Sequence, residues 1–145
     1  MICYSMQSGE LSVSIQIITL NKWSDVNMSK DEMQKMIESW HYWDAPVTYL
    51  NCNHFADEIE LAFNDDDVRV VYSFTGCYKS TFNHVLGYDK LRPVREMTPS
   101  QVPYFLQDIE VDVDVEDGVD FYVCKINMFP LSLKIWCKNI EVKTR

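Results

Sequence analysis

The sequence has little that would bend, staple or anchor it. Its 145 residues hold four glycines and five prolines, with no low-complexity tract and no internal repeat. So few glycines leave little material for a backbone cradle around phosphate, and there is no P-loop, no G-x-G-x-x-G and no G-x-S-x-G. The five cysteines, Cys3, Cys52, Cys77, Cys124 and Cys137, are odd in number and widely spaced. None forms a C-x-x-C pair, which argues against a disulfide framework and against a zinc knuckle. Cys124 and Cys137 sit in apolar, strand-like runs, where a thiol packs as a small hydrophobe. No apolar run is long enough to cross a bilayer, and the N-terminus lacks the basic and apolar regions of a secretory signal. The expectation is a cytoplasmic protein with no membrane contact.

Histidine is scarce as well. His41, His54 and His84 stand at none of the spacings of a helical zinc site. No metal, no cofactor and no enzymatic activity are expected. A Cys/His site assembled in space, with Cys52 and His54 near one another in sequence, stays open as an alternative. Positive charge is short too: 13 Lys and Arg face 22 Asp and Glu, for a net charge of -9. That disfavours direct binding of nucleic acid or anionic membranes and favours attraction to a basic partner. The plainer alternative is that the charge maintains solubility.

What the chain does have is core material. Hydrophobic residues make up 47% and aromatic residues 13%. A chain of this length and composition is expected to fold as a single domain, residues 1–145, without staples. Leu11–Leu20 alternates, with Val13, Ile15 and Ile17 on one parity, and predicts a half-buried strand. Ser29 and Glu32 have capping-box spacing, and Met33, Met36, Ile37 and Trp40 follow at helical spacing, predicting a helix to about Trp43. Phe55–Phe63 alternates as a strand, Asn64–Asp67 reads as a four-residue acidic turn, and Val68–Phe74 as the returning strand. The stretch from Gly76 to Arg95 has no clear period, and Gly87 marks a turn within it. Thr98, Pro99 and Gln101 start a short helix reaching about Gln107, with Pro103 tolerated in its first turn. Three strands then close the chain: Asp108–Glu116, Val119–Asn127 after an Asp117-Gly118 turn, and Leu131–Val142 after Met128-Phe129-Pro130. A bulge near Lys138-Asn139 accounts for a parity shift in the last. The order predicts an α+β domain, a mostly antiparallel sheet of about six strands with one main helix and one short helix packed against it.

The segment Asp108–Glu116 alternates without a fault. Side chains on a strand point alternately to its two faces, so Ile109, Val111, Val113 and Val115 are expected in the core. Asp108, Glu110, Asp112, Asp114 and Glu116 then share the other face at roughly 7 Å intervals. Between Arg95 and Lys125 there are eight acids and no bases. Asp is a poor strand former, and like charges so close repel. This local cost motivates the hypothesis of a surface that meets something positive; Asp117 and the Asp65-Asp66-Asp67 turn, which reads first as a solvated hairpin loop, would add to the same field. The competing reading is a solvated face neutralised by Lys125, Lys134 and Lys138 on the following strands. A calcium loop fits poorly: Asp112, Asp114 and Glu116 have the spacing of its first ligands, but Asp117 stands where glycine is required and Val123 where glutamate is. Trp40-His41-Tyr42-Trp43 reads first as a core helix end and, as the alternative, is a candidate aromatic anchor for a partner.

Three runs carry a resemblance: His54-Phe55-Ala56-Asp57, then Phe74-Thr75-Gly76-Cys77-Tyr78-Lys79, then Lys134-Ile135-Trp136-Cys137-Lys138-Asn139-Ile140-Glu141-Val142. In overall texture they resemble bacterial immunity proteins encoded beside polymorphic toxins, including those of contact-dependent growth inhibition. The resemblance implies a cytoplasmic protein that binds and blocks a basic toxin domain, commonly a nuclease, and it carries over no site residues. Two other readings stay open. One is an inhibitor of the anti-CRISPR type that imitates nucleic acid, since carboxylates about 7 Å apart echo phosphate spacing. The other is a small enzyme built on one of the histidines.

Overall fold

A computed structural model describes residues 28–85 and 93–145. The expected strand at Leu11–Leu20 and the turn at Gly87 lie outside them. Helix α1 (Lys30–Glu38) starts on the capping box: the Glu32 amide donates to Ser29 Oγ and the Ser29 amide to Glu32 Oε1, each at 3.1 Å. Asp31 and Glu32 in the first turn and Lys35 in the last complement the helix dipole. The helix buries Met33 and Ile37 and stops at Glu38, short of Trp43. Ser39 caps it, because Tyr42 has to turn into the core and Asp44 takes a left-handed conformation (φ 62°). Replacing Ser29 with Ala is expected to cost about 1 kcal/mol, measured by urea denaturation. A loss under about 0.3 kcal/mol would mean that solvent serves the end of the helix equally well.

Among the described residues, eight strands rather than about six form two four-stranded antiparallel sheets instead of one. β1 (Val47–Asn53), β2 (Glu58–Asp65), β3 (Val68–Thr75) and β8 (Asn139–Thr144) make the first, in that order. The second runs β4 (Lys79–His84), β7 (Leu131–Cys137), β6 (Val119–Met128), β5 (Asp108–Glu116). The main core unites Ile59, Leu61 and Phe74 of the first sheet with Ile126, Leu133 and Ile135 of the second, and α1 lies against the edge strands β5 and β8.

The differences from expectation have local causes. β2 begins at Glu58, because His54, Phe55 and Ala56 all have positive φ (52°, 57° and 70°) and form the β1–β2 connection, with Phe55 fully exposed. β1 went unread because it is an edge strand without clean alternation, half of it solvent-facing and bulged between Val47 and Tyr49. The acidic turn is tighter than four residues: Asp65 pairs with Val68, leaving only Asp66 (φ 52°) and Asp67 in the loop. β4 lies inside the uncalled stretch, and its residues are mostly exposed. The capping box at Thr98 is present, but it opens only a 3-10 turn, Pro99–Gln101, with another at Val94–Glu96. Val102 is extended (ψ 124°), as the residue before a proline prefers, so nothing helical continues to Gln107.

The last expected strand is two. The chain leaves the second sheet at Cys137 and enters the first at Asn139. Lys138 is the whole connection. Its amide donates to the Thr75 and Gly76 carbonyls, and its buried ammonium donates to the Asp120 carbonyl at 2.6 Å. Changing sheets across one residue shifts parity much as a bulge would. Asp117 (φ 52°) and Gly118 (φ 76°) form the expected β5–β6 turn with both residues left-handed, as a type I′ hairpin requires.

Candidate partner-binding surface

The five carboxylates of β5 face outward from the second sheet, with β6, β7 and β4 beside them. Cross-strand register sets Asp112 beside Val123, Val123 beside Trp136, and Trp136 beside Lys79. Asp114 stands beside Phe121, and Glu110 beside Lys125 and then Lys134. Phe121, Val123 and Trp136 form a second small core on this outer face, apart from the main one. The Trp136 ring lies under two ammonium groups, Lys79 at 4.1 Å and Lys134 at 4.8 Å from its centroid, and its Nε1–H donates to Asp114 at 3.3 Å. Tyr78, half exposed, stacks on Phe121 with centroids 5.0 Å apart.

The acids are partly paired. Lys30 reaches Asp112 at 3.3 Å, while Lys125–Glu110 and Lys79–Glu116 are each 4.0 Å apart. Of the lysines expected to neutralise the face, only Lys125 makes such a pair among the described residues; Lys134 lies over Trp136, and Lys138 over Phe121. Exposed pairs at 4.0 Å are worth little, so these carboxylates remain free to exchange partners. Two are held as anions. The Val113 amide, then Lys30, keep the Asp112 carboxyl below its ordinary value. The Trp136 indole, then the Val115 amide, do the same for Asp114.

β5 is an edge strand whose outer backbone row is served by other groups. The Tyr42 hydroxyl accepts from the Ile109 amide at 3.3 Å. Gln34 of α1 donates to the Ile109 carbonyl at 2.8 Å and accepts from the Val111 amide at 2.7 Å. Beyond Val111 the helix reaches only the Asp112 side chain, through Lys30, and the amides of Val113 and Val115 donate at 2.9 Å to the preceding carboxylates, Asp112 and Asp114. Val113 and Val115 are therefore not core residues, contrary to their alternation. They are 39% and 58% exposed, because the strand runs past the elements that cover Ile109 and Val111.

The other candidates are scattered. Asp65 accepts from the His41 amide at 3.0 Å, and Asp66 and Asp67 form the hairpin turn of the first sheet, while the ladder belongs to the second. Asp117 sits in the turn that ends the ladder. In Trp40-His41-Tyr42-Trp43, Tyr42 is core and Trp43, 39% exposed, stacks on it with centroids 4.2 Å apart. His54 lies in the β1–β2 connection, and His84 bonds the Tyr104 hydroxyl at 2.7 Å. Among the described residues no group of His, Cys, Asp or Glu has metal-holding geometry. Burial pushes the Cys77 thiol up to about 12 and raises Cys124 and Cys137 as well, which makes them packing groups rather than nucleophiles. Among the described residues no helix is long and apolar enough to cross a membrane.

The outer aromatic patch was not singled out in the sequence, although a sign of it was there. Phe121–Cys124 is apolar on both parities, as a strand covered on both faces must be. No curated protein matches the sequence. The family model for immunity protein PIM7 matches residues 29–144, which span the helix and both sheets, and the chain belongs to that family of polymorphic-toxin immunity proteins.

Proposed function

We propose that this protein neutralises a basic toxin domain, a nuclease, by laying the outer face of its second sheet over the toxin's phosphate-binding cleft. Immunity proteins act on a toxin partner and are generally not enzymes. The nuclease, the acidic contact and a cytoplasmic, contact-dependent setting are our reading. One observation carries it: five carboxylates in a row beside a Trp136–Phe121 patch. A nuclease cleft is cationic because it holds phosphate, so a rigid row of anions competes for it electrostatically. Asp117 extends the row, and Asp65, Asp66 and Asp67 add to the long-range field. Tyr78, half exposed and stacked on Phe121, supplies an aromatic contact at the centre of this face, with Phe121, Val123 and Trp136 buried beneath it as support and the charges as its rim.

The expected behaviour is rapid association that slows steeply with salt. The test is co-expression of the tagged protein with the toxin gene product encoded beside it, followed by capture and binding kinetics at low and high salt. A one-to-one complex whose association rate falls with salt supports the reading. A complex indifferent to salt would remove the acidic face from it, and no complex would remove the partner.

A further inference from the structure

Resting on that reading, we propose that the outer edge of β5 from Asp112 to Glu116, unpaired among the described residues, takes up an extended basic segment of the toxin as a further strand of the second sheet. The edge is divided. Its first half is closed by Tyr42 and Gln34, which occupy the outer amides and carbonyl of Ile109 and Val111. In its second half, among the described residues, the outer amides of Val113 and Val115 have only the carboxylates of their own neighbours. In an antiparallel strand the carbonyl of a residue points to the same side as its amide, so both groups of both valines are presented outward.

The chemistry beside this edge specifies the strand that fits. On the outer side of the sheet stand Asp112, Asp114 and Glu116; on the inner side stand the exposed Val113 and Val115. An added strand alternates its side chains between the same two faces. The matching segment therefore alternates basic residues, over the carboxylates, with apolar residues, over the valines. When its carbonyls take the Val113 and Val115 amides, Asp112 and Asp114 keep only Lys30 and the Trp136 indole as partners among the described residues, which leaves each carboxylate with capacity for a Lys or Arg side chain of the segment. Without such a partner the same carboxylates guard the edge, since charge along an open edge discourages pairing with neutral strands.

Hydrogen exchange on the purified complex with the toxin encoded beside the gene tests this directly. In the free protein the Val113 and Val115 amides exchange fast, and in the complex they slow by at least about tenfold, as amides in a paired strand do. Val113→Pro and Val115→Pro, each removing one outward amide at an edge position that tolerates proline, weaken toxin binding by at least about tenfold and leave the fold intact. Protection already present in the free protein overturns the proposal: independent of concentration, it means that residues 1–27 of this chain fill the edge, and dependent on concentration, that a second copy does. A complex with fast-exchanging amides also overturns it. If reversing Glu110, Asp112 and Asp114 still abolishes that complex, the toxin sits on the outer face alone and the function reading stands. If the reversals are harmless too, both fall. Should a proline variant fail to fold, the exchange measurement decides.

Discussion

Reversing Glu110, Asp112 and Asp114 together to Lys is expected to weaken toxin binding by at least about 100-fold, close to 3 kcal/mol, while the protein stays folded. Like charges brought together across an interface cost several kcal/mol, and most of the loss should appear in the association rate. The fold should survive because Glu110 and Asp112 are well exposed and their ion pairs are weak. The change is not free. Lys125 would face a lysine at position 110, and Trp136 would lose its acceptor at Asp114. Glu110→Gln, Asp112→Asn and Asp114→Asn together remove the charge and keep the shape; their loss should be about tenfold, with a flatter salt dependence. Circular dichroism and the urea midpoint check the fold, and stopped-flow mixing gives the rates. Unchanged affinity for the lysine variant at moderate salt would exclude the ladder as the contact surface.

The charged face was legible in the sequence because an outward carboxylate needs no tertiary partner to be recognised. Strand parity alone places Asp108, Glu110, Asp112, Asp114 and Glu116 together. The same logic failed for Val113 and Val115, since parity fixes which face a residue points to but not how far the covering layer extends. α1 serves the backbone of the β5 edge only through Val111, and only a structure locates that limit. The second sheet was hidden for a similar reason. β1 and β4 are edge strands with few buried residues, and the step from β7 to β8 at Lys138 leaves a trace much like a bulge. Local signals fared better where the physics is local. The capping boxes at Ser29 and Thr98 both formed, yet only the first continues into an α-helix. Met33 and Ile37 follow the first at core positions, whereas Pro103 closes off the second. The outer patch of Phe121, Val123 and Trp136 depends on pairing between β6 and β7 and with Asp114, information spread over more than 20 residues.

Tyr72→Ala is expected to cost about 4 kcal/mol, a large part of the roughly 5–15 kcal/mol that keeps a domain folded. Tyr72 is fully buried on β3, between Leu61 of β2 and Val142 of β8, with its ring 5.3 Å from Phe63. Its hydroxyl donates to the Ile37 carbonyl at 2.7 Å, tying the last turn of α1 to the first sheet. Burial raises the phenol's pKa far above its ordinary value, so the group stays a neutral donor. Tyr72→Phe keeps the ring and should cost only about 1 kcal/mol, because the Ser39 amide also donates to that carbonyl. The gap between the two variants measures packing against hydrogen bonding, read from urea denaturation. Loss of the hydroxyl should also loosen α1 against β5, since the same helix carries Gln34, which closes the first half of that edge. Faster exchange at the Val111 amide in Tyr72→Phe would register that coupling. A cost below about 1.5 kcal/mol for Tyr72→Ala would mean that the two sheets close over the cavity and that the helix is held elsewhere.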